Sequence, residues 1–204
     1  MIKNILFDFD GVILNSMKIK GDGFVELFNE YNDEDIKQLE TYHYENGGIS
    51  RFKKIEYFFT EILDDNITKE KINQLADDFA NIISKKLLNK DNLILDCIEY
   101  IKNNNKAYNL HIVSGAEHNE LNMLCDNFDL QQYFLSIEGS PTPKGELVSN
   151  LLKRHGYKKH ETVLIGDSIN DLNAANENSI EFYGYNNLNL KNCKYIESFK
   201  TFSL

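Results

Sequence analysis

The chain has 204 residues, of which 42% are hydrophobic, and its 32 Asp and Glu residues against 22 Lys and Arg give a net charge of −10. This acidity argues against nucleic-acid binding, which needs clustered cations, and the apolar runs are too short to cross a bilayer. The N-terminus reaches an acidic cluster too soon for a signal peptide, and three scattered cysteines favour neither a disulfide nor a metal site, so we expect a soluble cytoplasmic protein.

The predicted elements fall into three groups along the chain. Residues 2–7 form a short apolar run that predicts a buried strand. Residues 15–89 show only helical patterns, with apolar side chains at helical spacing and turn sequences between them. After residue 90, helices and strands alternate. Strands are predicted near 111–113, 135–138, 162–165 and 181–184, and helices near 92–105, 117–127, 144–155 and 169–177.

This order of elements predicts an α/β fold. Strands separated by helices of this length favour a Rossmann-like parallel sheet with right-handed crossovers, flanked by helices. The first strand is followed by the helical block instead of a single crossover helix. We therefore expect an α/β core formed by residues 1–14 and 90–204, with an all-helical insert, residues 15–89, after its first strand.

Two carboxylates follow the first predicted strand. In an open parallel sheet, ligands bind beyond the carboxyl ends of the strands, so these positions are candidate site residues. Asp8 and Asp10 are two residues apart on an extended chain and face the same side. At about 5 Å and an effective dielectric constant near 20, their repulsion is roughly 3 kcal/mol, which a divalent cation would remove. The alternative is an acidic turn chosen for loop geometry.

A hydroxyl and a lysine follow two of the later strands. Ser114 and Glu117 form an S-x-x-E pattern that predicts a capping box, and the same geometry suits an anion site. Pro143 suits the first position of a helix, which puts Lys144 in the first turn. The helix dipole disfavours a cation there unless negative charge lies in front of it. The alternative for Lys144 is a solvated surface side chain.

A second pair of acids follows the strand near 162–165. Asp167 leaves this strand and Asp171 lies one helical turn later, so both can face the same point. Helix capping readily explains one aspartate at the start of this helix, but it explains the presence of both less well. Taken together, the residues at the four strand ends would form a metal site beside an anion site. Enzymes that transfer phosphoryl groups use this combination.

These residues, in this order, resemble the haloacid dehalogenase superfamily of phosphohydrolases. The resemblance lies in the D-x-D-G-V sequence at 8–12, the serine at 114, the lysine at 144 and the G-D-S-x-N-D sequence at 166–171. The helical insert resembles the mobile cap of the phosphoglycolate-phosphatase and β-phosphoglucomutase branch. The insert would then be a cap over the α/β core.

The resemblance implies a role for each of these residues. Asp8 would be the nucleophile that becomes an aspartyl-phosphate, and Asp10 the general acid for the leaving oxygen and then the base that activates water. Ser114, Gly115 and Lys144 would hold the phosphoryl group. The implied cofactor is Mg²⁺, with ligands from Asp8, the backbone carbonyl of Asp10, Asp167 and Asp171.

The cap is expected to select the substrate. Residues 46–51 resemble the loop that β-phosphoglucomutase-like proteins lay over their substrate. Ser50 would cap the following helix. Arg51 would offer a bidentate contact to a carboxylate or a second phosphate, or else be a surface arginine. His43 and Asn46 are weaker candidates.

The resemblance leaves the reaction partly open. Asp10 argues against carbon–halogen cleavage, because relatives that dehalogenate lack this second aspartate. Phosphonate cleavage would need a cap lysine that forms a Schiff base, and the lysines at 18, 20, 53 and 54 form no such pattern. We expect a monomer or dimer that hydrolyses a small phosphomonoester, such as a phosphosugar or sugar-acid phosphate. The alternatives are a phosphosugar mutase and a non-catalytic phosphate-binding or regulatory protein.

Overall fold

The structure is a computed structural model that describes residues 1–204. Its strands are β1 (Asn4–Phe7), β2 (Asn109–Glu117), β3 (Ser136–Ser140), β4 (Thr162–Gly166), β5 (Glu181–Tyr185) and β6 (Lys194–Ile196). Its α-helices are α1 (Met17–Leu27), α2 (Asp33–Glu45), α3 (Arg51–Tyr57), α4 (Lys69–Leu87), α5 (Leu95–Asn104), α6 (His118–Asn127), α7 (Lys144–His155) and α8 (Ile169–Asn178). None of the helices combines the length and the hydropathy that crossing a bilayer requires.

All six strands form one parallel sheet in the order β3-β2-β1-β4-β5-β6, which confirms the predicted α/β fold. Phe7 of β1 pairs with Ile112 of β2 on one side and Ile165 of β4 on the other. Every residue of β1 and β4 is buried, so their sequences are mainly apolar and do not alternate. The chain runs from β1 to β3 and then returns to β4. The strand order therefore reverses between β1 and β4, where ligands of such sheets bind.

Four helices, α1 to α4, form the insert that follows β1 and pack against one another. Leu75, Phe79 and Ile83 recur at helical spacing along the buried face of α4. The rings of Phe79 and Phe24 lie 4.3 Å apart between their centroids. A Cβ at Gly23 would lie 2.4 Å from Ile83, so a glycine allows α1 to approach α4 this closely. The apolar side chains of the insert and of one face of the sheet form one continuous cluster.

The largest departure from the sequence prediction is at the end of β2. The strand predicted near 111–113 is too short, and the predicted capping box of Ser114 with Glu117 is wrong. An irregularity in the pairing after Val113 lets β2 continue until Glu117 pairs with Ser140 of β3. Glu117 itself caps α6 by accepting two backbone N–H groups of the first turn. The Ser114 hydroxyl instead accepts the backbone N–H of Ala116 at 3.2 Å.

Smaller shifts occur at three other boundaries. The helix predicted near 92–105 begins as a separate 3₁₀ turn, and α5 itself starts at Leu95. The strand predicted near 135–138 extends two residues further, to Ser140. Helix α7 has the predicted extent, but Pro143 is its cap and Lys144 its first residue, so the prediction of Pro143 as the first helical position is wrong by one residue.

Candidate active site

Asp8 follows directly from β1 and is almost fully buried, with 1% of its surface exposed. Its Oδ1 accepts the backbone N–H of Phe9 at 2.7 Å and lies 2.8 Å from the Nζ of Lys144. Its Oδ2 is buried and has no hydrogen-bond partner. A buried carboxylate oxygen in this condition is destabilising unless a ligand or a cation contacts it. A simple acidic turn does not account for this oxygen.

Three carboxylates converge between β1 and β4. One oxygen from each of Asp8, Asp167 and Asp171 lies within 4.8 Å of the other two. Burial and then the charge of Asp171 raise the pKa of Asp8 to about 7, against the opposing effect of Lys144. Burial and then the charge of Asp8 raise the pKa of Asp167 well above its ordinary value. A divalent cation would relieve this repulsion, and carboxylate oxygens are the ligands that Mg²⁺ and Ca²⁺ prefer.

The position of Asp167 depends on Gly11, which lies in the loop after β1. Gly11 has a φ of +77°, in the left-handed region that favours glycine. A Cβ at this position would lie 1.9 Å from the Oδ2 of Asp167. Only a glycine therefore allows the loop and the carboxylate to come this close, which gives the D-x-D-G sequence a physical reason.

Lys144 is buried at the start of α7 and forms ion pairs with Asp8 and Asp171. Burial lowers the pKa of its amine, but the charges of Asp171 and Asp8 outweigh burial and raise the pKa above its ordinary value. Asp171 also accepts hydrogen bonds from the backbone N–H and the hydroxyl of Ser168. The interpretation of Lys144 as a surface side chain is wrong. The negative charge expected in front of this lysine is present in two aspartates.

Asp10 is not one of the three clustered carboxylates, and its side chain is held by two residues at the start of the insert. Its Oδ1 accepts the hydroxyl of Ser16 at 2.5 Å, and its Oδ2 pairs with the Nζ of Lys20 at 2.5 Å. Burial opposes ionisation of Asp10, but the charge of Lys20 and hydrogen bonds from Lys20 and Ser16 together lower the pKa of this carboxyl. Any share of Asp10 in a metal shell would therefore fall to its backbone carbonyl.

Sequence reasoning did not assign Ser16 and Lys20 to the site. They lie four residues apart around the start of α1, a spacing that puts both on one face of a helix. That spacing is visible in the sequence. Which of the α1 faces meets Asp10 depends on how the insert folds back over the sheet, and this information is not local.

Ser114 and Gly115 lie beneath a loop of the insert. Ser114 is fully buried within β2. A Cβ at Gly115 would lie 2.1 Å from the backbone oxygen of Gly48, so the insert loop presses directly on this turn. The side-chain amide of Asn170 donates to the backbone oxygen of Gly47 at 2.7 Å and fastens the same loop to α8. The insert loop therefore covers one side of the expected phosphate-binding turn, while Gly115 also lines a larger cleft.

The predicted residues of the insert have mixed outcomes. Ser50 caps α3, as expected, by accepting the backbone N–H of Lys53 at 3.4 Å. His43 is buried, with Nε2 2.9 Å from the backbone oxygen of Met17 and Nδ1 2.9 Å from the Nζ of Lys54. Burial and the charge of Lys54 lower the pKa of His43 to about 3, so it is a neutral ring that donates to the carbonyl and accepts from the amine. Asn46 donates to a backbone oxygen of its own helix.

Arg51 is buried and pairs with Glu120 of α6, so its interpretation as a surface arginine is wrong. Only 5% of the Arg51 side chain and 9% of the Glu120 side chain are exposed. The guanidinium also lies over the ring of Phe79, 5.1 Å from its centroid. The charge of Arg51 is therefore already neutralised by a partner that the sequence analysis did not find, 69 residues away along the chain.

Two cavities lie where the insert meets the sheet edge. The smaller, about 30 Å³, has a lining that includes Asp10, Lys20, His43, Arg51 and Lys54. The larger cleft, about 720 Å³, includes neither Asp8 nor Asp10 in its lining, although Gly115 and Lys144 both line it. The smaller cavity adjoins Asp10 and has room for only one or two water molecules. A larger ligand does not fit in this cavity as it stands.

The fold and these residues define the class of the protein: an α/β enzyme with an acidic centre at the point where the strand order reverses, covered by a helical insert. A family model described as haloacid dehalogenase-like hydrolase matches residues 5–185. The chain therefore belongs to the haloacid dehalogenase-like hydrolases, as the sequence motifs predicted. A comparison with curated protein sequences finds no match.

Solved structures share the fold at low sequence identity. β-Phosphoglucomutase from Clostridium difficile is 17% identical, with a TM-score of 0.77, over 100% of this chain and 94% of that chain. A mutant of CbbY from Rhodobacter sphaeroides, in complex with xylulose-(1,5)bisphosphate, is 17% identical, with a TM-score of 0.76, over 98% and 96%. A predicted phosphoglycolate phosphatase from Haemophilus somnus is 17% identical, with a TM-score of 0.73, over 97% and 95%.

Proposed function

We propose that this enzyme is a Mg²⁺-dependent phosphatase that hydrolyses a small phosphomonoester through an aspartyl-phosphate on Asp8. The observation that carries the proposal is the state of the Asp8 carboxylate. One oxygen is held by a backbone N–H and by Lys144, and the other is buried without a partner. A carboxylate fixed at one oxygen and free at the other is suited to nucleophilic attack.

The acidic cluster supports a Mg²⁺ site. Asp8, Asp167 and Asp171, with the backbone carbonyl of Asp10, would hold the cation. A bound Mg²⁺ would supply positive charge that lets an anionic phosphate approach these anionic carboxylates. Lys144 supplies a second positive charge next to Asp8 and would hold the phosphoryl group, together with Ser114 and Gly115.

The two chemical steps use Asp8 and Asp10. In the first, an oxygen of Asp8 bonds to phosphorus, the bond from phosphorus to the leaving oxygen breaks, and Asp10 gives a proton to that oxygen. In the second, water attacks the aspartyl-phosphate, Asp10 takes the proton of the water, and phosphate and free Asp8 result. The ion pair with Lys20 favours the ionised form of Asp10, which is the form the second step needs. For the first step, Asp10 must acquire a proton.

We propose that residues 15–89 act as the cap and that residues 1–14 and 90–204 form the catalytic core. The small cavity next to Asp10 is far smaller than a phosphomonoester, so the cap must open to admit one and close again over it. A soluble phosphorylated metabolite would be the substrate. The fold relatives named for phosphoglycolate, phosphoglucose and a bisphosphate ligand support this class. The cytoplasmic location expected from the sequence stays a prediction.

A phosphosugar mutase is the second candidate. The close approach of the insert loop to Gly115 and the small size of the cavity beside Asp10 favour a mutase. A mutase must keep water away from the aspartyl-phosphate until a second hydroxyl arrives. Incubation with phosphosugars, followed by ³¹P NMR, separates the two. A phosphatase produces inorganic phosphate, whereas a mutase produces an isomeric sugar phosphate.

The test of the phosphatase proposal is release of p-nitrophenolate and phosphate from p-nitrophenyl phosphate by the purified chain. We expect turnover with Mg²⁺, loss of turnover with EDTA and recovery when excess Mg²⁺ is added. Turnover that is indifferent to EDTA would contradict the metal assignment. Absence of turnover on this ester and on a panel of phosphorylated metabolites would contradict the proposed function.

A further inference from the structure

Lys54 of α3 is a buried lysine that the proposed reaction does not use. Only 3% of its surface is exposed, and its amine donates to the Nδ1 of His43 at 2.9 Å and to the backbone oxygen of His43 at 3.3 Å. No carboxylate forms an ion pair with it. Burial and then the charge of Lys20 lower its pKa to about 7, although Asp10 and Asp167 act in the opposite direction. A full positive charge at this place is therefore only partly compensated.

The other cations between the insert and the sheet edge are already paired. Lys20 pairs with Asp10, Arg51 with Glu120, Lys53 with Glu56, and Lys144 with Asp8 and Asp171. Among the lysine and arginine side chains that line the small cavity, only that of Lys54 has no carboxylate partner. An anion that entered this cavity could therefore pair with the amine of Lys54.

The neighbours of Lys54 indicate which part of a substrate it meets. The small cavity is lined by Asp10 and Lys54 and reaches the proposed phosphate-binding turn at Gly115, but neither Asp8 nor Lys144 lines it. Asp8 and Lys144 are the groups proposed to attack and hold the phosphoryl group, whereas Asp10 is proposed to protonate the leaving oxygen. The amine of Lys54 therefore lies on the side of the leaving group.

We propose that Lys54 determines substrate specificity by binding a carboxylate on the leaving group of the phosphomonoester. This inference rests on the proposed function, and it assigns to Lys54 the contact that the sequence predicted for Arg51. An entering carboxylate provides the missing negative charge, stabilises the ammonium form and forms a charge-assisted hydrogen bond in a site screened from water. A neutral hydroxyl group at the same place provides no such charge.

The experiment compares two substrates that differ only at this group. 3-Phosphoglycerate carries a carboxylate where glycerol 3-phosphate carries a hydroxymethyl group. We expect wild-type kcat/KM to favour the carboxylate, and Lys54→Met to reduce that preference about tenfold to a hundredfold, the range for a lost hydrogen bond to a charged group. Lys54→Arg should restore part of the preference. Lys53→Met, which changes the neighbouring lysine that pairs with Glu56, should keep it.

Equal losses on both substrates in Lys54→Met would overturn the proposal, because they would show a role in the common phosphoryl transfer or in folding. A wild-type preference for glycerol 3-phosphate would also overturn it. Melting temperatures identify a folding defect; methionine fills similar space without a charge to desolvate, and Lys54→Gln provides a second, polar variant for the same comparison.

A failure of the proposed function has a different signature. In that case p-nitrophenyl phosphate and both glycerol derivatives yield no phosphate with the wild type. The rise in melting temperature on adding each compound with Mg²⁺ then tests Lys54 without turnover. Greater stabilisation by 3-phosphoglycerate that disappears in Lys54→Met supports the proposal, and equal stabilisation by the two compounds in the wild type overturns it.

Discussion

The sheet edge and the helical insert bring opposite charges to the boundary between them. The edge contributes four aspartates and only one lysine, which is held by two of them. The insert contributes Lys20, Arg51 and Lys54. Lys20 and Arg51 pair with acids of the core, namely Asp10 and Glu120. This difference is consistent with the proposal that the edge carries out the reaction and that the insert aligns and selects the substrate. Substitutions at the edge should then affect every substrate, whereas those in the insert should affect substrate choice or stability.

The strongest test of this proposal is Asp8→Asn. We expect turnover of p-nitrophenyl phosphate to fall by about 10⁴ or more, because an amide is a poor nucleophile and forms no acyl phosphate. The variant should stay folded, since removing one of several crowded negative charges relieves repulsion. Steady-state phosphate release and circular dichroism measure the two effects. An active Asp8→Asn protein would show that the nucleophile is misassigned.

The matched control for this prediction is Asp22→Asn. Asp22 lies on α1 of the insert and pairs with Lys18 at the surface, with 46% of its side chain exposed. Asp22→Asn makes the same chemical change at a surface position that is not part of the candidate active site. An equal loss of activity in both variants would argue that the effect of Asp8→Asn is not specific.

The next largest effect is expected for Asp10→Asn. An asparagine cannot take the proton of the attacking water, so the aspartyl-phosphate should persist. p-Nitrophenolate needs little protonation to leave, so the first step should still occur. We expect a burst of p-nitrophenolate equal to the enzyme concentration and then a steady rate reduced about 10² to 10⁴ times. A normal steady-state rate without a burst would contradict the acid–base role.

A smaller loss is expected for Gly11→Ala, which acts on the edge through Asp167. The added methyl group would occupy the place of the Asp167 carboxylate and the alanine would have an unfavourable positive φ. The carboxylate must move, so the Mg²⁺ concentration for half-maximal activity should rise about tenfold or more, as for other disturbed metal shells. Gly156→Ala is the control, because it also has a positive φ but no atom within 4 Å of the added Cβ. An equal Mg²⁺ requirement in both variants would contradict the role of Gly11.

The difference between the sheet edge and the insert also explains which residues could be predicted from the sequence. Asp8, Asp167 and Lys144 could be found because each follows or precedes a recognisable element, and a parallel sheet gathers its strand ends at one edge. The pairing irregularity that extends β2 has no sequence pattern of its own, so the end of this strand at Glu117 was missed. The sequence predicted Arg51 as a substrate contact or else a surface arginine, whereas the structure buries it against Glu120, so its role at the substrate stays a prediction.

The contacts of the insert were less predictable. Arg51 meets Glu120 only because two segments 69 residues apart are brought together, and nothing in either segment indicates the other. The burial of Lys54 has the same origin. Helical periodicity shows that a residue lies on a helix, but the face that is covered depends on the orientation of the insert over the sheet. The residues of the sheet edge could be predicted from local sequence patterns. The contacts between the insert and the sheet depend on the tertiary structure and could not.

The smallest effect on p-nitrophenyl phosphate turnover is expected at the Arg51–Glu120 pair, which should act mainly on stability. Arg51→Met leaves Glu120 buried without a counter-charge, and Glu120→Leu does the same to Arg51, so each should lower the free energy of unfolding by about 3–5 kcal/mol. Methionine keeps much of the apolar contact with Phe79. The double variant removes both charges and should recover most of the loss, because it leaves no buried charge unpaired. Urea unfolding of the four proteins measures the coupling, and simple addition of the two single losses would mean that insert and core are not joined by this pair.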